Sequence, residues 1–75
     1  MPFIHIYAFS GRDKETKIRA AQAIVKAASE AMGAPETVFT VAYEEHDREN
    51  WEREVVQPVI EPNSDKVLID CGKPV

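Results

Sequence analysis

Pro2 stands directly behind Met1 and opens an apolar run. An initiator methionine is normally trimmed when a small residue follows it, and trimming here exposes the proline ring nitrogen as a secondary amine. A free α-amino group titrates at about 7.7–8. Apolar burial and nearby cations lower that value, towards what a general base needs at neutral pH. If Met1 stays, the nitrogen is an amide and this chemistry is absent. Moving a proton next to a carbonyl also needs a cation or hydrogen-bond donor where charge develops on the enolate oxygen. Arg12 is the candidate, and its charge would depress the Pro2 pKa further. Phe3, Phe39 and Trp51 are available to keep the surroundings apolar.

Each of these residues also has a plainer reading. Pro2 suits the first position of a strand, where its missing N–H costs nothing. Arg12 reads as a surface cation, although a helix N-terminus is a poor place for one. The aromatics serve equally as ordinary packing. His5 reads as a strand or interface residue and His46, beside acidic neighbours, as exposed. Tyr7 and Tyr43 are possible donors to a substrate oxygen that nothing in the sequence selects.

The elements that must position these groups follow from periodicity. Residues 2–9 carry Phe3, Ile4, Ile6, Tyr7 and Phe9, with neither face strongly polar, which predicts a strand covered on both sides. Ser10-Gly11-Arg12 breaks it, and Asp13 is placed to cap a helix. From Lys14 to Met32 the apolar residues Ile18, Ala21, Val25, Ala28 and Met32 recur at three- and four-residue steps, widened by Ile24 and Ala31. Gly33 and Pro35 end that helix. Residues 38–43 return to a two-residue period. Strand, long helix, strand is a βαβ unit, which requires parallel pairing and leaves edges and a face in need of cover. The acidic stretch 44–54 reads as a solvated helix face. Trp51, Val55 and Val56 predict a short helix over residues 48–57, stopped by Pro58. Residues 66–70 read as either a short strand or a helical turn.

Seventy-five residues make one domain, residues 1–75. A chain this short buries only about 60% of the surface its unfolded form exposes, and metals, disulfides or oligomerisation commonly supply the difference. Cys71 is the one cysteine. It forms no internal disulfide, fits a reducing cytoplasm, and reads as a half-buried small residue rather than a nucleophile. His5 and His46 are far apart and no Cys/His pair has ligand spacing, so neither metal nor cofactor is expected. Oligomerisation remains. A net charge of −4 and the lack of a basic aromatic stripe argue against nucleic acid as a partner. No apolar run reaches membrane-spanning length, and no charged segment precedes a hydrophobic one at the N-terminus. The expectation is a soluble cytoplasmic protein.

Taken jointly, Pro2-Phe3-Ile4-His5-Ile6, Ser10-Gly11-Arg12-Asp13, the amphipathic helix, Gly33-Ala34-Pro35 and the second strand resemble the 4-oxalocrotonate tautomerase family. The acidic stretch with Asn50-Trp51 and the proline-interrupted tail look like its dimeric branch, related to phenylpyruvate-type tautomerases. The resemblance spans essentially the whole chain. It implies an α/β fold: a βαβ unit of two parallel strands and one long helix, plus a short C-terminal helix and tail, completed by oligomerisation as in MIF-like proteins. It implies that Pro2 is the amino-terminal proline that shuttles a proton between carbon and oxygen. It implies that Arg12 binds a substrate carboxylate or carbonyl oxygen, often from a neighbouring subunit, and that Trp51 walls the pocket. The second arginine of the best-known members does not carry over, because Thr40 stands at its place. That departure favours a substrate with one carboxylate, or recruitment of Arg48 or Arg53.

The resulting expectation is an isomerase that needs no cofactor. It converts the enol of a 2-hydroxy-2-enoate or phenylpyruvate-like acid to the keto form, with Pro2 as general acid/base and Arg12, Trp51 and Phe39 holding the substrate. A protonated Pro2 would instead support hydratase or dehalogenase chemistry on an unsaturated acid. That version needs a carboxylate to position water, and sequence does not choose among Glu44, Glu45 and Glu52. A non-catalytic oligomeric binding module is the third reading. The partner expected besides a small-molecule acid is the chain itself: the long tail favours a dimer, and a hexamer is compatible.

Overall fold

A computed structural model describes residues 1–75 as two compact units, Met1–Glu45 and His46–Val75. In the first unit, strand β1 (Phe3–Phe9), helix α1 (Lys14–Met32) and strand β2 (Thr40–His46) form the βαβ element, with β1 and β2 paired in parallel. The pairing begins beside Pro2, whose carbonyl accepts the Thr40 N–H at 3.2 Å.

Both ends of α1 are fixed by the residues that the sequence singles out. Asp13, in extended conformation, accepts the Thr16 N–H on its carboxylate at 2.8 Å. This satisfies one of the donors that the first turn leaves open. At the other end Gly33 takes φ 68° and donates to the Ser29 carbonyl, a left-handed cap that costs a residue with a Cβ more than glycine.

Side-chain alternation divides the sheet into two faces. Phe3, His5 and Tyr7 form a row on one face: the Phe3 and His5 rings meet edge-on at 6.0 Å, and His5 stacks on Tyr7 at 4.3 Å. Glu44 reaches this face and bonds His5 Nε2 at 2.9 Å. The other face of β2 meets the helix, where Lys17 binds Glu45 at 2.8 Å and lies 5.6 Å above the Tyr43 ring. Only this second face is covered by the helix. Phe3 is 64% exposed and His5 is exposed, so in the single chain β1 is not enclosed on both sides. No residue of the first unit is fully buried.

Strand β2 starts two residues later than the sequence pattern suggests and runs three further. Glu36–Val38 forms a 3₁₀ turn, closed by the Phe39 N–H on the Glu36 carbonyl, before the chain extends. Glu44 and Glu45, read from sequence as part of a solvated helix, are strand residues with a histidine and a lysine as partners.

In the second unit, Arg48–Asn50 is a 3₁₀ turn that leads through Trp51 into a π-helix, Glu52–Ile60. This corrects the expected stop at Gln57, because Pro58 sits inside the helix. In an α-helix the proline ring clashes with the carbonyl four residues back. Wider winding with bonds five residues apart, as from the Glu61 N–H to the Val56 carbonyl, relieves that conflict. Val55, 1% exposed, is the one fully buried side chain.

A 3₁₀ segment, Glu61–Lys66, follows, and then a hairpin pairs β3 (Ile69–Asp70) with β4 (Lys73–Pro74) antiparallel. Its two-residue turn places Cys71 at φ 48° and Gly72 at φ 81°, the paired positive angles that match the twist of a tight hairpin. Cys71 is exposed rather than half-buried. No helix is long and apolar enough to cross a membrane.

Candidate functional site

Pairing of β1 with β2 brings three of the sequence candidates to one end of the first unit. Pro2 is half-buried behind an exposed Met1. Thr40 lies against its carbonyl, and Phe39, half-buried, immediately precedes Thr40. The peptide between Met1 and Pro2 therefore sits where its methionine is open to solvent and its proline is partly shielded.

Arg12 is not there. It follows the far end of β1, exposed, with its guanidinium donating to the Phe9 carbonyl at 3.4 Å. A seven-residue strand at about 3.3 Å per residue separates the two by roughly 23 Å. Within one chain Arg12 cannot touch a substrate held at Pro2. Trp51 belongs to the second unit, where it is half-buried at the entry to the π-helix.

Of the two arginines that sequence offers as substitutes for a second substrate-binding cation, Arg53 is already engaged. It donates to Asn50 Oδ1 at 2.8 Å and lies 3.8 Å from Glu54. Arg48, in the turn before Trp51, also has interactions of its own.

The residue types in this arrangement match a distinct set of proteins. The family model described as tautomerase enzyme matches residues 2–59. The chain belongs to the tautomerase family. A 2-hydroxymuconate tautomerase of Comamonas testosteroni is 37% identical over 51 residues, covering 68% of this chain and 81% of that protein. The crystal structure of TomN, a 4-oxalocrotonate tautomerase homologue in the tomaymycin biosynthetic pathway, superposes with a TM-score of 0.64 at 25% identity, over 85% of this chain and 95% of TomN. Membership of this tautomerase family supports a tautomerase-type function and agrees with the βαβ fold described above.

Two polar features of the first unit, the Lys17–Glu45 and His5–Glu44 pairs, escape sequence reading, whereas the Asp13 cap does not. Glu45 is held below its ordinary carboxylate pKa, first by the hydrogen bond from Lys17, then by that ammonium's charge and the Gly11 N–H, against an opposing effect of burial. Asp13 is lowered mainly by the Thr16 hydrogen bond. The His5–Glu44 pair joins residues 39 positions apart, and only strand register could have announced it.

In the second unit His46 is half-buried, not exposed as its acidic neighbours suggested, and its Nδ1 meets Glu54 at 2.9 Å. No group of three or more His, Cys, Asp or Glu side chains is gathered closely enough to hold a metal ion.

Proposed function

We propose that this tautomerase acts through the amino-terminal amine of Pro2, freed by removal of Met1, on a 2-hydroxy-2-enoate or phenylpyruvate-like enol acid. The amine accepts the hydroxyl proton of the enol, and the resulting ammonium delivers a proton to carbon. The product is the keto acid, and Pro2 returns to its starting state. A base titrating near neutrality suits both halves of the cycle. Phe39 and Trp51 supply apolar walls, and Arg12 binds the carboxylate or the carbonyl oxygen on which charge develops.

The observation that carries this reading is the position of Pro2, half-buried at the start of β1 behind a fully accessible Met1, which is 98% exposed. The roughly 23 Å between Pro2 and Arg12 supports a site completed by a second copy. So does a βαβ unit with no fully buried residue and with Phe3 exposed on its open face. The assembly is a homo-oligomer, with the dimer favoured. An exposed free thiol at Cys71 suits a reducing compartment, and the cytoplasm is the proposed location.

Enol-to-keto conversion of phenylpyruvate, followed alongside intact mass, tests the reading. Trimmed protein is expected to be active and the Pro2→Ala variant to lose about 10²–10⁴-fold in rate, the usual contribution of a positioned acid–base group. Equal rates for the two proteins would remove Pro2 from the mechanism.

A further inference from the structure

Residues 46–54 form a loop whose two ends are bonded to each other through their side chains. His46 closes β2 and begins the second unit. Its Nδ1 meets Glu54 Oε1 at 2.9 Å, eight positions along the sequence. Between them the Asn50 N–H reaches the Asp47 carbonyl at 2.9 Å, and the Trp51 N–H reaches the Arg48 carbonyl. Arg53 donates to Asn50 Oδ1 at 2.8 Å. Trp51 stands at the exit of these turns, in helical conformation at φ −57° and ψ −46°.

Burial sets Glu54 on the same side as the tryptophan. Glu52 and Arg53 are exposed, whereas Trp51 and Glu54 are half-buried and Val55 is fully buried. Residues three and four apart in a helix are neighbours on its surface, so a carboxylate lies on the inward side three residues after Trp51. A charge placed beside apolar groups is costly unless a partner meets it. The partner is His46, and the bond ties the start of the π-helix directly to the residue that ends β2.

From this geometry we infer that the His46–Glu54 pair positions Trp51, holding the aromatic wall where a substrate meets it. The inference rests on the proposed role of Trp51 in the site. Neither His46 nor Glu54 touches the substrate; both act through the tryptophan. Without the pair the loop keeps its local turns but loses the link between its ends, and Trp51 samples positions in which the wall is absent. Substrate affinity then falls with the fraction of protein whose wall is in place. Proton transfer at Pro2 is unchanged once substrate is bound.

Trp51 is the one tryptophan, so intrinsic fluorescence reads its surroundings without turnover. Glu54→Ala is the milder cut, since the Glu54 side chain is 37% exposed and that of His46 14%. Its emission maximum is expected to move to longer wavelength and its quenching by acrylamide to rise. KM for the phenylpyruvate enol should increase by about 2–10-fold, the population shift that one hydrogen bond commands, with kcat within about twofold of wild type. Glu54→Gln, whose amide can bond Nδ1 in either tautomer, should restore both readouts most of the way. His46→Phe keeps the ring volume, removes both nitrogens and repeats the test where Glu54→Ala fails to fold. Emission and quenching unchanged in a folded variant that lacks the bond overturn the inference. So does a fall in kcat at constant KM, or a Gln variant no better than Ala. Trp51→Ala separates the underlying reading: if it leaves KM unmoved, the tryptophan is no wall, and emission alone judges the pair.

Discussion

Pro2 must be a secondary amine for the proposed reaction, and its surroundings decide how readily that amine gives up a proton. In its own chain the Pro2 carbonyl is bonded by the Thr40 N–H, next to the half-buried Phe39, and Glu36 stands four residues before Thr40. Negative groups favour the ammonium form and positive ones the free amine. In the proposed reaction a guanidinium arriving from a second copy would do two jobs: hold the substrate's anionic end and bias Pro2 towards the base. Arg12→Ala is expected to lower kcat/KM for carboxylate-bearing substrates by about 10–100-fold, the worth of a charge-assisted contact, and to move the acidic limb of the rate profile to higher pH. Unchanged steady-state kinetics across pH would exclude Arg12 from the site.

Elements matter here because α1 and its caps hold the two ends of the unit apart. The helix was legible from residues 14 to 32 because an uninterrupted apolar stripe, an Asp cap and a Gly-x-Pro stop all agree. The start of β2 was not, since Val38, which closes the 3₁₀ turn at Glu36–Val38, fits the two-residue period that β2 continues. Glu44 and Glu45 were misread because composition registers charge and not the His5 or Lys17 that pairing places opposite. Pro58 was read as a stop because the rule applies to α-winding, whereas this segment winds more widely. The tail hairpin left only a Cys-Gly signal, flanked by strands of two residues each, too short for any period to be seen. For the candidate site, Pro2 and Arg12 could be picked out by type and order, but their separation along β1 becomes a distance only once β1 is known to run unbroken.

Two predictions belong to this scale. Gly33→Ala should cost about 1 kcal/mol in urea denaturation. The added Cβ meets nothing within 4 Å, so the penalty is that of the left-handed angle alone; no loss of stability would show that the cap relaxes without cost.

Asp13 and Glu45 have folded-state pKa values below their ordinary ones. A carboxylate lowered by folding stabilises the native state above its unfolded pKa, and that contribution disappears as pH falls through the lowered value. Stability should therefore hold from neutrality to about pH 5 and decline below about pH 4. Asp13→Asn combined with Glu45→Gln should make the decline shallower, as read from thermal midpoints across that range. An unchanged slope would assign acid sensitivity to other groups.

At the scale of the whole molecule, the single chain is short of interior. One side chain, Val55, is fully buried, while Phe3, Met32, Leu68 and Ile69 stand largely exposed. Exposed apolar groups in this number are characteristic of surfaces that meet a partner, and a small domain has few other routes to stability without metal or disulfide. Sharing an active site between copies would couple assembly to function, so activity per chain should fall on dilution through the dissociation range, in parallel with native mass. Constant specific activity in a demonstrably monomeric sample would contradict a shared site.

The most direct test mixes two damaged proteins. Pro2→Ala and Arg12→Ala variants, each nearly inactive alone, are unfolded together in equal amounts, refolded, and assayed for enol-to-keto conversion. If each site draws Pro2 from one copy and Arg12 from another, random reassortment gives about one site in four both intact groups, and roughly a quarter of wild-type activity should return. If the mixture stays as inactive as its components although mixed oligomers are present by native mass, the two residues do not meet across a subunit boundary, and the account of the site is wrong.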